Sequence, residues 1–314
     1  MNPTRSSDAA ISVEGLTKRF GNRTVVDNVS LDVGRGRICG FLGPNGSGKT
    51  TTLRMICGLL IPDGGGGEVL GMDLRTQREL IKRRIGYMTQ RFGLFEDLTI
   101  RENLAFVADA YGLDDKTKRV GAALERLGLE TRADQLAGTL SGGWKQRLAL
   151  AACVLHDPEI LLLDEPTAGV DPLARREFWD QVHMLSAEGT TVLVSTHYMD
   201  EAERCHDIAY IAYGVLLARG TADEIVAQSG LVALAGEGPG ADRLAPKLER
   251  APGVAMAAAF GPTVHVCGRD MAALRTAVAD VAPEINWRET EPTLEDVFIH
   301  LMRGATDNST QAAA

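Results

Sequence analysis

Ile38-Cys39-Gly40-Phe41-Leu42-Gly43-Pro44-Asn45-Gly46-Ser47-Gly48-Lys49-Thr50-Thr51 is a short apolar run that breaks into a glycine-rich turn and ends on a lysine and two threonines. Ile38–Leu42 has strand composition. From Thr51 onward, Leu53, Ile56 and Leu60 recur on one face at helical spacing, so the turn joins a strand to a helix. In that setting the pattern Gly43-x-x-x-x-Gly48-Lys49-Thr50 predicts a phosphate cradle. Glycines at 43, 46 and 48, with Pro44, Asn45 and Ser47 between them, let backbone N–H groups close around phosphate oxygens. The helix starting near Lys49 turns the positive end of its dipole toward the same oxygens. Lys49 supplies a full charge to β- and γ-phosphates, and the Thr50 hydroxyl can ligand Mg²⁺.

A second apolar run, Ile160-Leu161-Leu162-Leu163, ends in the carboxylates Asp164 and Glu165. Strand alternation is expected to send the two side chains to opposite faces and so to different tasks. Asp164 would hold Mg²⁺, and Glu165 would polarise the water that attacks a γ-phosphate. In an open parallel sheet ligands sit at the carboxyl ends of strands, which is where both this pair and the cradle lie.

Around these two anchors, residues 11–33 read as alternating β-rich sequence. Residues 97–155 read as three helices, Leu98 to Tyr111, Lys116 to Leu127 and Trp144 to Leu155. Pro62 and Gly64–Gly67 are expected to end the helix that follows the cradle. Strands return at Ile160–Leu163, Thr191–Ser195 and Ile208–Ala212, with a helix over Pro172–Ala187. Alternating strands and helices predict an α/β domain over 11–228. It has a mostly parallel sheet, an N-terminal antiparallel β part and a helical subdomain inserted at about 97–155. Residues 231–302 carry none of these motifs. They read strand (Leu231–Ala235), helix (Ala241–Arg250), hairpin (Val254–Phe260 and Val264–Cys267), helix (Met271–Ala279), strand (Ile285–Glu289) and a last helix from Pro292 to Met302. The βαββαβ order predicts a small α+β ferredoxin-like domain, followed by a disordered tail over 303–314.

Of the 314 residues, 45% are apolar and 24% charged, and the formal net charge is −9, which argues against a nucleic-acid-binding surface. The five cysteines are scattered without a C-x-x-C pair and read as buried thiols in a reducing compartment. No stretch reaches the roughly 18–20 apolar residues that a membrane span needs.

A cradle and an acid pair define only a broad class of nucleotidases. Leu140-Ser141-Gly142-Gly143-Trp144-Lys145-Gln146-Arg147 narrows it, because this stretch resembles the signature motif of the ATP-binding-cassette (ABC) family. In order along the chain, Gln90 in Tyr87-Met88-Thr89-Gln90 resembles the family's Q-loop, Gly169-Val170-Asp171-Pro172 its D-loop and Ser195-Thr196-His197 its switch histidine. Phe20 stands where an aromatic stacks on adenine, and the matches span residues 11–225, about seven-tenths of the chain. The resemblance implies ATP and Mg²⁺ as ligands and a homodimer that closes head-to-tail around two ATP molecules. Ser141, Gly143 and Asp171 would then reach the nucleotide held by the partner's cradle. It also implies that His197 holds the attacking water in line, and that Gln90 touches Mg²⁺ and water. Trp144 departs from the usual glutamine; an indole has no amide acceptor, so a polar contact to ribose would be lost or replaced by stacking.

Pro166-Thr167-Ala168-Gly169-Val170-Asp171-Pro172 and Glu291-Pro292-Thr293-Leu294-Glu295-Asp296-Val297-Phe298 resemble the ATPase subunits of bacterial drug-resistance exporters of the daunorubicin type. Those subunits work with separate membrane proteins of the ABC-2 class, so the resemblance implies a peripheral position on the cytoplasmic face of the inner membrane. A cassette ATPase acting on ribosomes or DNA is the alternative. It is disfavoured by the single cradle and by the absence of heptads for a long coiled coil.

Overall fold

The computed structural model describes residues 8–304. The chain divides into two compact units, the first ending at Leu216 and the second starting at Leu217. The sequence reading set these limits at 228 and 231. The difference arises because the helix over Ala222–Ser229 packs on the last helix of the second unit.

The first unit opens with β1 (Ala9–Phe20) and β2 (Arg23–Gly34), followed by β3 (Ile38–Leu42) and α1 (Lys49–Ile56). Then come β4 (Gly64–Val69), β5 (Met72–Asp73), α2 (Arg78–Arg84) and β6 (Ile85–Met88). The helical insertion holds α3 (Ile100–Ala110), α4 (Lys116–Arg126) and α5 (Gly142–Val154). The unit continues with β7 (Ile160–Asp164), α6 (Pro172–Ala187), β8 (Thr191–Thr196), α7 (Met199–Ala202) and β9 (Asp207–Ala212), and the division falls inside β10 (Val215–Gly220).

Strands β9-β3-β8-β7-β6 are consecutive neighbours and pair in parallel, with β10 at the edge beside β9. A separate antiparallel sheet has the order β2-β1-β4-β5. Helices are expected on both faces of a parallel sheet, and the packing here explains the unbroken apolar strands. Along β7, Leu161 and Leu163 face the core shared with the helical insertion, whereas Ile160 and Leu162 face the core shared with the antiparallel sheet. Val192 and Val194 of β8 divide from Leu193 in the same way. All four residues of Ile160–Leu163 are fully buried; burial of each contributes about 1.5–3 kcal/mol.

Gly64–Gly67 form part of β4 instead of only ending a helix. Strand β4 pairs antiparallel with β1, and at Gly65 and Gly67 the β1 backbone comes too close for a side chain. A Cβ at Gly65 would lie 2.2 Å from the Gly15 carbonyl oxygen, and φ there is +70°. Helix α3 starts at a capping box in which the Thr99 hydroxyl accepts from Glu102 N–H and Glu102 answers at Thr99 N–H. Helix α6 starts on Asp171, whose carboxylate accepts from the N–H groups of Leu173 and Ala174, with Pro172 in the first turn.

The second unit contains α8 (Ala222–Ser229), β11 (Val232–Glu237), α9 (Ala245–Leu248), β12 (Met256–Phe260), β13 (Thr263–Gly268), α10 (Met271–Val281), β14 (Asn286–Thr290) and α11 (Leu294–Gly304). Its sheet is antiparallel in the order β12-β13-β11-β14, the arrangement of a ferredoxin-like βαββαβ unit. Two expectations change here. The helix over 241–250 shortens to a 3₁₀ turn at Ala241–Arg243 and α9, because Pro246 lacks the N–H that would continue the first turn. Arg303 and Gly304, expected in the tail, close α11, and the rest of that tail lies outside the described residues. Among the described residues, no helix is long and apolar enough to cross a membrane.

Candidate functional site

The cradle lies between β3 and α1, as the strand-turn-helix reading requires. Gly43 is held by its N–H on the Thr196 carbonyl at 3.3 Å, which ties the loop to the end of β8. Lys49 is buried and donates to the carbonyls of Gly43 (2.7 Å) and Pro44 (3.1 Å). Its Nζ lies 3.4 Å from Glu165 Oε1. Burial pushes the Lys49 ammonium below its usual range, and the neighbouring Glu165 carboxylate works in the opposite direction. A Cβ at Gly43 would stand 2.0 Å from the Ile211 carbonyl oxygen. Gly43→Ala is therefore expected to cost about 1–3 kcal/mol of stability, as overpacking does. A thermal melt run with an ATP titration checks it, and an unchanged melting temperature would contradict the close approach.

Asp164 ends β7 and is buried. It accepts from Ser195 Oγ at 2.7 Å and from Thr50 Oγ1 at 3.0 Å, both on Oδ1, and from the Tyr87 hydroxyl at 3.4 Å on Oδ2. Burial, with the Asp164 charge adding to it, pushes the Tyr87 phenol up to about 12, so it remains a neutral donor. Thr50 and Asp164 thus present a hydroxyl and a carboxylate oxygen side by side, a hard-oxygen donor set of the kind Mg²⁺ takes, and the residues fit that ion. Ser195 and Tyr87 were not among the residues singled out from sequence. The signal for them was position alone: Ser195 heads Ser195-Thr196-His197, and Tyr87 lies three residues before Gln90.

Glu165 leaves the strand with φ +47°, in the left-handed region that non-glycine residues seldom adopt. The turn is held because its N–H donates to both the carbonyl (3.1 Å) and the hydroxyl (3.0 Å) of Ser195. Strained backbone of this kind costs roughly 1–3 kcal/mol and persists where surrounding contacts over-determine it. The separation of the two carboxylates therefore comes from this twist and not from strand alternation alone. The twist brings the Glu165 carboxylate under Gln90, whose Nε2 donates to Oε2 at 3.1 Å, and beside His197, whose Nδ1 lies 3.4 Å from the same oxygen.

Lys49, Thr50, Asp164, Glu165, Gln90 and His197 therefore converge, with Gly46, Gly48 and Thr51 lining the same cleft. Phe20 sits apart at the end of β1, 52% exposed, with Lys18 Nζ 5.6 Å from its ring centroid. Ser141, Gly143 and Asp171 line a different cleft of ≈ 260 Å³ between the first turns of α5 and α6. The Ser141 hydroxyl does not cap α5. Trp144, on the same turn, has the Arg132 and Arg147 guanidinium carbons 4.6 and 4.7 Å from its ring, so both cations are cation–π partners within the chain.

A cradle with its acid pair on a parallel sheet, interrupted by a helical block that carries Ser141-Gly142-Gly143, defines a cassette ATPase. The sequence profile of the ABC transporter family matches residues 26–168. The probable multidrug ABC transporter ATP-binding protein YbhF of Escherichia coli (strain K12) is 46% identical over 224 residues, 71% of this chain. The chain spans only 39% of that protein's length. Nod factor export ATP-binding protein I of Ralstonia nicotianae is 38% identical over 95% of both chains. Daunorubicin resistance ATP-binding protein DrrA3 of Streptomyces coeruleorubidus is 37% identical over 94% of this chain and 96% of its own. Among solved structures, an ATP-binding subunit of an ABC transporter matches with TM-score 0.64 and 32% identity, over 70% of this chain and 93% of that one. A dimeric cassette, MJ0796 bound to ADP and Pi, matches with TM-score 0.61 and 28% identity over 67% and 98%. The chain belongs to the ABC transporter family, as one of its ATP-hydrolysing, ATP-binding subunits.

Proposed function

We propose that the chain powers export of drugs or other hydrophobic or amphiphilic compounds by closing as a homodimer around ATP and driving a separate ABC-2-type membrane subunit. It would act as a peripheral protein on the cytoplasmic face of the inner membrane. The observation that carries the catalytic part is the convergence of Gln90, His197 and Lys49 on the Glu165 carboxylate, at 3.1, 3.4 and 3.4 Å, beside the cradle. The direction of transport is supported by the likeness to relatives named for multidrug transport, Nod factor export and daunorubicin resistance.

The chemistry follows from the residues. Backbone N–H groups of 43–48, the α1 terminus and Lys49 bind the β- and γ-phosphates of ATP. Thr50 and Asp164, with Gln90 near them, would hold Mg²⁺, which when bound neutralises phosphate charge. The Glu165 carboxylate accepts a hydrogen bond from the attacking water and draws its proton, and Gln90 fixes the carboxylate's direction. His197 orients that water against the γ-phosphate. Ser141 and Gly143, at the N-terminus of α5, cap the γ-phosphate held by the partner subunit, and Asp171 sits at the same junction. Phe20 stacks on adenine. ATP is then the bond between subunits, and loss of the γ-phosphate removes the contacts that favour closure.

The test is capture of the tagged Glu165→Gln protein from membranes of its native host with ATP present. A polytopic membrane protein held in an ATP-dependent complex is expected. Ribosomal proteins or DNA in its place would overturn the transport reading.

A further inference from the structure

Behind His197 lies a charged assembly, built on one fully buried carboxylate, that the reaction described above does not use. Glu201, on α7, is 0% exposed. Its Oε1 accepts from the Thr167 hydroxyl and lies 3.6 Å from Arg175 Nε, while its Oε2 has no hydrogen-bond partner among the described residues. An unpaired carboxylate is costly to bury, and the Arg175 guanidinium supplies its counter-charge at 3.6 Å, an ion-pair distance without a hydrogen bond at Nε among the described residues. Asp200 approaches the other end of the guanidinium at 3.6 Å. Held there, the guanidinium carbon lies 4.2 Å from the centroid of the Tyr198 ring. The same ring packs on the His197 imidazole, with centroids 4.1 Å apart at 36°.

His197 needs that support. Its Nδ1 lies 3.4 Å from Glu165 Oε2 but makes no hydrogen bond among the described residues, so that contact alone does not fix the plane of the ring. The imidazole leans on the Tyr198 ring, and Tyr198 is backed in turn by the Arg175 cation, which lies 3.6 Å from the buried Glu201 and 3.6 Å from Asp200. The contacts close on themselves, because Thr167 stands two residues after Glu165. The sequence Glu165, His197, Tyr198, Arg175, Glu201, Thr167 thus returns to the segment that carries the general base.

We propose that Arg175, seated by Glu201, is a positioning residue for hydrolysis, backing the Tyr198 ring and so holding the His197 imidazole at Glu165. The proposal rests on the roles given to His197 and Glu165 above. It is tested by steady-state ATPase kinetics of Arg175→Met, Tyr198→Leu and Tyr198→Phe, each made alone and combined with His197→Ala. Arg175→Met and Tyr198→Leu are expected to lower kcat by roughly ten- to a hundredfold, the scale of a misplaced catalytic group, with KM for ATP little changed. Tyr198→Phe keeps the ring and is expected to restore most of what Tyr198→Leu loses. On the His197→Ala background neither Arg175→Met nor Tyr198→Leu should cost anything further, because both act through the missing imidazole. Losses that multiply with His197→Ala, or that fall on KM, would overturn the proposal while leaving His197 its role. Full activity of His197→Ala would overturn both together. Should Arg175→Met fail to fold, because it leaves Glu201 buried alone, the Tyr198 variants decide the question, since they leave the Arg175–Glu201 pair in place.

Discussion

Glu165→Gln is expected to bind ATP as well as the parent protein or better, and to hydrolyse it at a rate lower by about 10²–10⁴, the range that a general base contributes. The amide can still accept from Gln90 Nε2, which now lies 3.1 Å from Glu165 Oε2, so the local arrangement survives the change. The capacity to draw a proton does not survive, since a neutral amide oxygen is a poor base. Removing the charge also removes repulsion between this side chain and the γ-phosphate, which is why binding is expected to hold or tighten. With hydrolysis stopped, the ATP-closed form has no exit. Light scattering after gel filtration with saturating ATP and Mg²⁺ should report a dimer, and a monomer after treatment with ADP. A variant that keeps more than about a tenth of the parental rate would remove Glu165 from the role of base. One that stays monomeric with saturating ATP would remove the sandwich instead.

The parts of this site that were legible in the sequence are those written in one contiguous stretch. Gly43–Thr50 is read directly because the chemistry is carried by the backbone, and glycine spacing records backbone shape. Asp164 and Glu165 follow an apolar run of strand length, and β7 is buried on both faces as that composition suits. Gln90 and His197 became visible through resemblance alone. Nothing local to either residue states that each ends beside Glu165, with Gln90 lying 75 positions away in sequence. The same limit explains what was missed. Ser195 holds both Asp164 and the Glu165 N–H, yet a serine at a strand end is unremarkable until the neighbouring strand is in place. The left-handed twist at Glu165 is invisible because glutamate does not announce positive φ as glycine does. In the second unit the order of elements was readable from apolar alternation, but Pro246 was read through as mid-helix where it stands in the first turn of a new one. At Gly64–Gly67 the helix had ended as read, but the strand they form was not read, since glycines carry no apolar alternation to signal it.

Lys49→Ala is expected to weaken ATP binding itself, and the measurement is cleanest on the Glu165→Gln background, where hydrolysis cannot distort a titration. Lys49 is 4% exposed and sits among the Gly43 and Pro44 carbonyls and the Glu165 carboxylate. Two influences act on its charge in opposite senses: burial disfavours the ammonium, and Glu165 favours it. Phosphate oxygens add more negative charge on the favourable side, so the lysine binds nucleotide as a cation already placed and largely stripped of water. A hydrogen bond to a charged group contributes about 1.5–3 kcal/mol. Loss of that contribution converts to an ATP affinity roughly ten- to a hundredfold weaker, read by titration with a fluorescent ATP analogue. The ATP-dependent dimer should disappear in parallel at nucleotide concentrations that saturate the Glu165→Gln protein, since a cradle that does not hold the γ-phosphate offers nothing for Ser141 and Gly143 of a second subunit to cap. The fold is expected to remain, because backbone donors hold the loop without the side chain, as in the Gly43 N–H bond to Thr196. Parental ATP affinity in the folded variant would mean that the phosphates do not lie against Lys49, and the cradle would have to be assigned another ligand.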